Sequence, residues 1–401
     1  MKKRNYLPLV LIALIFASCK TTDINIPSET IIETPEKQEE QKNKTSSITL
    51  LFAGDVMAHN VNYNMKDYDS IWDGVRDTVK NCDLAFANIE APLDTTRPSS
   101  SYPAFNMPKA YAQATIDAGF NVFSLCNNHT NDQNLSGILQ TIITTNELTQ
   151  SEAEKGNKIY FAGLRQSKTD KYSHQLIEKD DWKILFLPMT EILNTPIAKG
   201  NVNYINSSKT ERTAFIEYCK QLREENPCDL FIISLHANET EYIRTVTKYQ
   251  QEFYDNLFEA GVDIIWANHA HIIKDRKVTI NRENGTAKIV MYANGNTISG
   301  QRTSPNLTSS NPIGERDNTG DGLFYKVTFT KTTEKPLPVF KESENLFITV
   351  FKPQSNQYII KFLNEDFINY LRENNLTNWV NYLEKRKKIN EEYTKEIIEW
   401  Q

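Results

Sequence analysis

The stretch Ile48-Thr49-Leu50-Leu51-Phe52-Ala53-Gly54-Asp55-Val56-Met57-Ala58-His59 sets the reading of the chain. A short, mostly apolar run stops at a glycine and is followed at once by an aspartate and then a histidine. Such a run reads as a strand buried on both faces. Its polar C-terminal end lies where open α/β sheets place their functional groups. The arrangement recurs four times. Leu84–Ala87 leads into Asn88-Ile89-Glu90-Ala91-Pro92-Leu93, and Val122–Leu125 into Cys126-Asn127-Asn128-His129-Thr130-Asn131-Asp132. Phe231–Leu235 leads into His236, and Ile264–Ala267 into Asn268-His269-Ala270-His271. Each strand end delivers Asp, Glu, Asn or His.

Amphipathic segments separate these strands. Asp69–Cys82 carries Ile71, Trp72, Val75 and Val79 at helical spacing, and Pro108–Ala118 opens on a proline and stops before Gly119. Leu135–Leu148, Lys209–Glu225 and Val246–Ala260 also read as helices, while Ile159–Ala162, Ile184–Pro188 and Val262–Trp266 read as strands. The β-α-β-α rhythm predicts an α/β fold with both sheet faces covered. From about residue 272 the pattern changes to antiparallel strands, at 272–281, 288–293, 322–330, 346–351 and 357–362. The charged stretch from Glu365, with Phe367, Tyr370, Leu371, Trp379, Leu383, Ile389, Ile397 and Ile398, predicts one or two packing helices. No internal repeat is present.

The chain has 401 residues, 39% hydrophobic and 24% charged, which suffices for a substantial core and excludes global disorder. No segment outside the N-terminal leader approaches the 18 or so consecutive apolar residues of a membrane span, so a polytopic membrane protein is excluded. With 45 basic against 51 acidic residues the formal net charge is -6, which makes nucleic acid an unsuitable partner. An anionic substrate remains compatible, provided its attraction is local.

The N-terminus reads as an export signal. Lys2, Lys3 and Arg4 precede an apolar run from Tyr6 to Ala17, too short to span a bilayer, that ends in Phe16-Ala17-Ser18-Cys19. The ending resembles the bacterial lipobox, with Phe16 where leucine is usual, and Cys19 would become the lipidated N-terminus. The alternative is an ordinary cleaved signal with an incidental cysteine. Residues 20–46 are rich in Thr, Pro, Glu, Lys and Gln and read as a disordered tether. The expected organisation is a signal peptide at 1–18, a tether at 19–46, a folded domain at 47–362 and a C-terminal helical extension at 363–401. The product would be an exported bacterial lipoprotein held at the cell envelope. Cys82, Cys126, Cys219 and Cys228 lack a C-x-x-C spacing, which argues against a thiolate zinc site. Export permits a disulfide, for which Cys219 and Cys228 are the near pair, and buried free thiols are the alternative.

Four of the six histidines, His129, His236, His269 and His271, fall at strand ends. Any one alone would be read as a hydrogen-bonded structural histidine, but the four together suggest a shared site. Carboxylate, amide oxygen and imidazole without thiolate suit a hard or borderline divalent ion, Mn²⁺, Fe²⁺, Zn²⁺ or Mg²⁺. Asp55, Glu90, Asn128, His236, His269 and His271 exceed the ligand set of one zinc ion, so two divalent ions are the economical expectation. Two such ions against Asp55 and Glu90 leave net positive charge that would attract an oxyanion such as phosphate. His129 is placed to protonate a leaving oxygen, and Asp132 to orient that imidazole or, alternatively, to cap a helix.

In order along the chain, Gly54-Asp55-Val56-Met57, Asn88–Leu93, Ser124–Asp132, Ser234-Leu235-His236, His269-Ala270-His271 and Tyr292-Ala293-Asn294-Gly295-Asn296 resemble the CapA family of poly-γ-glutamate capsule-biosynthesis proteins, a branch of the calcineurin-like metallophosphoesterase superfamily. The resemblance covers roughly residues 47–300 and continues to about 362. It implies a four-layer α-β-β-α sandwich with a dimetal centre at strand ends. Asp55 and His271 would hold one metal, Asn128, His236 and His269 the other, with Glu90 bridging and His129 as the catalytic histidine. Met57 stands where the superfamily has a histidine ligand, and Asn60 where the family often has an arginine. His59 is read as an exposed loop histidine, with substitution for the ligand missing at Met57 as the alternative. Ala237-Asn238 replaces the usual aromatic-glycine pair, the glutamate expected nearby is Glu239 or Glu241, and Asn268 stands where the branch often has another histidine.

The resemblance implies a dimetal hydrolase of phosphoesterase type linked to capsule or poly-γ-glutamate biosynthesis, acting on an anionic polymer or phosphoester, with capsule-synthesis proteins as possible partners. A non-catalytic factor that binds or assembles polymer for export is the alternative, and a γ-glutamyl amide hydrolase a third reading.

Overall fold

The computed structural model describes residues 44–302 and 316–401. The signal segment, Cys19 and most of the expected tether lie outside the described residues. The first strand, β1 (Thr45–Val56), opens inside the stretch read as the end of that tether.

The chain lays down its first sheet through β1, the short helices α1 (Asn60–Tyr63) and α2 (Arg76–Lys80), β2 (Leu84–Ile89), α3 (Lys109–Asp117), β3 (Val122–Ser124), α4 (Asn134–Glu154) and β4 (Tyr160–Ala162). The four strands run parallel. It then builds a second sheet through β5 (Gln175–Lys179), β6 (Trp182–Thr190), α5 (Lys209–Glu225), β7 (Leu230–His236), α6 (Lys248–Glu259), β8 (Ile264–Asn268), β9 (Arg276–Ile280) and β10 (Ala287–Met291). The strand β11 (Asn296–Ile298) returns to the first sheet beside β1, and β12 (Asp321–Thr332), β13 (Val339–Phe351) and β14 (Ile359–Phe362) extend it antiparallel. Helices α7 (Glu365–Glu373) and α8 (Thr377–Tyr393) follow, and β15 (Glu396–Trp400) joins the second sheet. The strand orders are β14-β13-β12-β1-β2-β3-β4, with β11 off this path, and β15-β9-β10-β8-β7-β6-β5.

Strand alternation makes the layers. In β1, Leu50 and Phe52 point into the space between the sheets, where they meet Phe186, Ile232, Ile264 and Trp266. Leu51 and Ala53 point the other way, under Val79, Tyr111, Ile116 and Ile138. On the far side Leu187, Ile233 and Leu235 are covered by Phe215 and Leu222 of α5 and by Phe253 and Leu257 of α6. Both faces of the central strands are therefore buried, which explains the continuous apolar runs, and the result is the expected α-β-β-α sandwich. The helix caps follow from sequence: Ser208 accepts from the Glu211 amide, Thr247 from that of Gln250 and Asn364 from that of Phe367.

Two expectations are corrected, and one strand is unexpected. Asp69–Cys82 is not one helix but a 3-10 turn over Asp69–Trp72 followed by α2. The break is at Gly74, where an added Cβ would lie 2.3 Å from the Ile360 carbonyl oxygen. Glu396–Trp400 is a strand, although the sequence pattern puts Ile397 and Ile398 in a helix. Its Glu396 carboxylate accepts from Tyr325, Ser343 and Asn345 of the other sheet, which fixes an extended chain there. The edge strand β5, with its weak burial alternation, has no counterpart in the sequence reading.

Between the sheets, Trp266 Nε1 donates to the Ala53 carbonyl at 2.7 Å, and Asn294 Nδ2 donates to that of Phe52 at 3.0 Å. These bonds satisfy carbonyls where the β1–β2 pairing shifts register between Phe52 and Asp55. Gly54 is required at this point: a Cβ there would lie 1.8 Å from the Gly295 carbonyl oxygen. The shift places Asp55 opposite both Asn88 and Asn296.

Among the described residues Cys82, Cys126, Cys219 and Cys228 are free thiols, and no helix is long and apolar enough to cross a membrane.

Candidate metal centre

The C-terminal ends of β1, β2 and β3 and of β7 and β8 meet at one rim of the two sheets. Asp55, Glu90 and Asn128 come from the first sheet, and His236, His269 and His271 from the second. All six are almost fully buried. Three groups of donor atoms gather there, each within 4.8 Å: Asp55 with Glu90 and His271, Glu90 with His236 and His269, and Glu241 with His269 and His271.

Backbone and amide contacts aim these side chains. Asn88 Nδ2 donates to Asp55 Oδ1 at 2.8 Å, which leaves Oδ2 facing His271 Nδ1 at 3.3 Å. Asn127 Nδ2 donates to the Ile89 carbonyl at 2.8 Å and so ties the loop after β3 to the end of β2. His269 and His271 take positive φ values of 105° and 57°. Such backbone costs on the order of 1–3 kcal/mol for a non-glycine residue and persists where surrounding structure enforces it. Asn296 Oδ1 lies 3.0 Å from His271 Nδ1, which makes Nδ1 the protonated nitrogen and frees Nε2, 3.9 Å from Glu90 Oε1.

At the second group, His236 Nε2 lies 2.8 Å from Asn128 Oδ1, 3.1 Å from His269 Nδ1 and 3.7 Å from Glu90 Oε1. Two imidazole nitrogens, an amide oxygen and a carboxylate oxygen thus converge. Neither Glu90 oxygen has a hydrogen-bond partner, although the side chain is wholly buried. A carboxylate in that position calls for a cation.

The titration behaviour agrees. Burial first, and then the Asp55 charge, push Glu90 well above the usual carboxylate range. Burial and the neighbouring imidazoles hold His236 well below its usual value, and burial and His271 take His269 down to about 4. Both rings are neutral and carry lone pairs for a cation. His271 goes the other way: burial works against its charge, but the hydrogen bond and charge of Asp55 leave it raised. Oxygen and nitrogen donors with an orphaned buried carboxylate fit divalent ions of the Mn, Fe, Zn or Mg kind.

Beside this cluster, His129 Nδ1 lies 2.7 Å from Asp132 Oδ2, which also accepts from the Phe105 amide at 2.8 Å. Asp132 is therefore committed to His129, and helix α4 takes Gln133 as its N-cap residue instead. Phe105 meets the rings of His129 and His59 edge-on, at 4.6 and 5.0 Å.

Some expectations change here. His59 is not an exposed loop histidine. It is largely enclosed and accepts from the Gly300 amide at 3.1 Å, and burial followed by the His271 and His129 charges takes it down to about 3. It belongs to none of the ligand groups. Met57 packs into the core. Of the two candidate glutamates, Glu239 pairs with buried Lys274, while Glu241 reaches His269 and His271.

Sequence reasoning missed Asn194, whose Oδ1 accepts from Asn128 Nδ2 at 3.2 Å and whose Nδ2 lies 3.0 Å from His129 Nδ1. Its loop is held by Asn131 Nδ2, which donates to the Thr195 and Ile197 carbonyls. It also left Asn296 without a role, although that residue closes a quoted motif.

Solved structures to which the chain is similar include these two. One is a hypothetical protein from Thermus thermophilus, at 16% identity and a TM-score of 0.43, covering 75% of this chain and 98% of that one. The other is the calcineurin-like phosphoesterase YfkN from Bacillus subtilis, at 10% identity and a TM-score of 0.37, covering 85% of this chain and 100% of that one. Nothing among the curated proteins matches the sequence. A family model described as bacterial capsule synthesis protein PGA_cap matches residues 49–301, from the first strand through every ligand candidate. The chain belongs to that bacterial capsule synthesis family.

Proposed function

We propose that this protein is a dimetal-dependent hydrolase of phosphoesterase type that acts on an anionic polymer or phosphoester in capsule biosynthesis, and that it is exported and tethered to the cell envelope through a lipid on Cys19. The observation that carries the catalytic reading is the buried, unpartnered Glu90 carboxylate with imidazoles on both sides. Asp55, Glu90 and His271 would hold one ion, and Glu90, Asn128, His236 and His269 the other, with Glu241 beside the two later histidines. Two divalent ions would supply Lewis acidity and a water-derived nucleophile at neutral pH.

The remaining work falls to the chain's own groups. Asp132 accepts from His129 Nδ1 and so keeps Nε2 as the atom that gives a proton to the leaving oxygen. Asn194 Oδ1 accepts from Asn128 Nδ2 and so helps aim the Asn128 amide oxygen at His236. Phe105 walls the imidazole on one side.

A second reading, binding and assembly of polymer without turnover, is favoured by Met57. With that side chain in the core, the Asp55 group offers only three donors. The test is to strip the protein with chelator, reload it with Mn²⁺, count ions by elemental analysis, and assay an aryl phosphate and a γ-glutamyl polymer. Two retained equivalents with hydrolysis of the phosphate support the first reading, and cleavage of the polymer alone would move the activity to amide hydrolysis. Polymer binding without turnover on either supports the second. Retention of no ion at all refutes the metal centre.

A further inference from the structure

One cation near the cluster sits on an aromatic ring and not on a carboxylate. Among the described residues Arg316 forms no ion pair, whereas Lys274 is paired with Glu239, and Arg302 and Arg386 with Asp321. Arg316 is exposed, yet its position is set. Its guanidinium lies 4.2 Å over the Tyr242 ring and donates to the Tyr242 hydroxyl. Tyr242 is itself fixed: its amide donates to the Ala270 carbonyl at 2.9 Å, and its backbone sits at a φ of 63°. Its ring stacks on that of His271, with centroids 6.0 Å apart and planes 29° from parallel. The Arg316 charge bears on both Glu241 and His59, which flank the ligand cluster.

An exposed guanidinium held over an aromatic ring is pre-organised to take a planar or tetrahedral oxyanion through two parallel hydrogen bonds. It costs little entropy on binding because the ring has already restricted it. We propose that Arg316, seated on Tyr242, recognises an oxyanion of the substrate at the rim of the metal cluster. This rests on the reading of the cluster as a site for anionic substrate, and it supplies from the other end of the chain the positive charge absent at Asn60. Two sources carry such a group, a phosphate and the side-chain carboxylates of a γ-linked glutamate chain.

The experiment is calorimetric titration of the Mn²⁺-loaded protein with inorganic phosphate and, separately, with γ-linked triglutamate. The wild type is compared with Arg316→Gln and Arg316→Lys. The expected result is about a tenfold loss of affinity in Arg316→Gln and a smaller loss in Arg316→Lys, which keeps the charge but not the fork. Added salt should weaken the wild type more than Arg316→Gln. Unfolding temperatures should match, since the side chain is exposed. The ligand whose binding depends on Arg316 identifies the source. Equal affinities in wild type and Arg316→Gln, or a wild type that binds neither ligand, would overturn the proposal. Arg316-dependent binding without turnover would support it while counting against the hydrolase reading.

Discussion

Glu90→Gln separates a cation-binding centre from a merely polar core. Without ions, burial and then the Asp55 charge favour the neutral form of the Glu90 carboxyl. The amide is then nearly isosteric with what it replaces. Stripped Glu90→Gln should therefore lie within about 1–2 kcal/mol of stripped wild type, since neither side chain has a partner to lose. Ions reverse this. An ion present at a thousand times its dissociation constant stabilises the native state by about 4 kcal/mol. A folded unit of this size has an unfolding entropy of about 0.7 kcal/mol/K, so each ion is worth about 5 °C in Tm. Wild type should gain about 5–10 °C on loading with Mn²⁺, and Glu90→Gln no more than about 2 °C, because the group shared by both ligand sets is gone. Differential scanning fluorimetry of both proteins, stripped and loaded, gives the four temperatures. Equal Mn²⁺ shifts in the two proteins would refute the placement of Glu90 at the centre.

His129→Ala should lower kcat on an aryl phosphate by about 10²–10⁴-fold at unchanged metal content, as loss of a general acid does; a changed ion count would show that His129 is a ligand instead. Asp321 is buried between Arg302 and Arg386, and although burial raises its pKa, those two charges bring it below the usual 3.8. Its stabilisation is therefore complete above pH 3.8 and is lost as pH falls through the lower folded value. Asp321→Asn should cost about 3–5 kcal/mol at pH 7 in urea unfolding and should flatten the acid limb of the stability profile; an unchanged acid limb would count against the assignment. Gly54→Ala should abolish soluble folded protein or metal uptake, because its Cβ cannot coexist with the Gly295 carbonyl; a well-folded, metal-binding variant would show that β1 and β11 can separate.

The legible parts of this fold share one property: their signals are local. The run Ile48–Ala53 with Gly54 and Asp55, the amphipathic helix over Lys209–Glu225, and the histidines at strand ends all carry their signals locally. What escaped depends on partners far away in sequence. The strand Glu396–Trp400 exists because β9 offers an open edge and because Glu396 finds Tyr325, Ser343 and Asn345; its own Ile-Ile pattern suits a helix equally well. The helix expected across Gly74 fails against a carbonyl of β14. Asn194 and Arg316 are common residue types in polar stretches, and only the folded chain brings them to His129 and Tyr242. His59 reads as exposed in the sequence because the glycine that encloses it, Gly300, is contributed by a distant segment.

The donor atoms come in two sets, one from each sheet, and the Trp266–Ala53 bond is a buried bolt between those sheets close to that seam. A slip of one sheet past the other by a single residue would move the sets by about 3.3 Å, whereas coordination distances tolerate about 0.2 Å. Ion affinity is thus a ruler for inter-sheet alignment. Trp266→Phe, itself no ligand and apolar in place of the bolt, should loosen the grip on Mn²⁺ before it measurably loosens the fold.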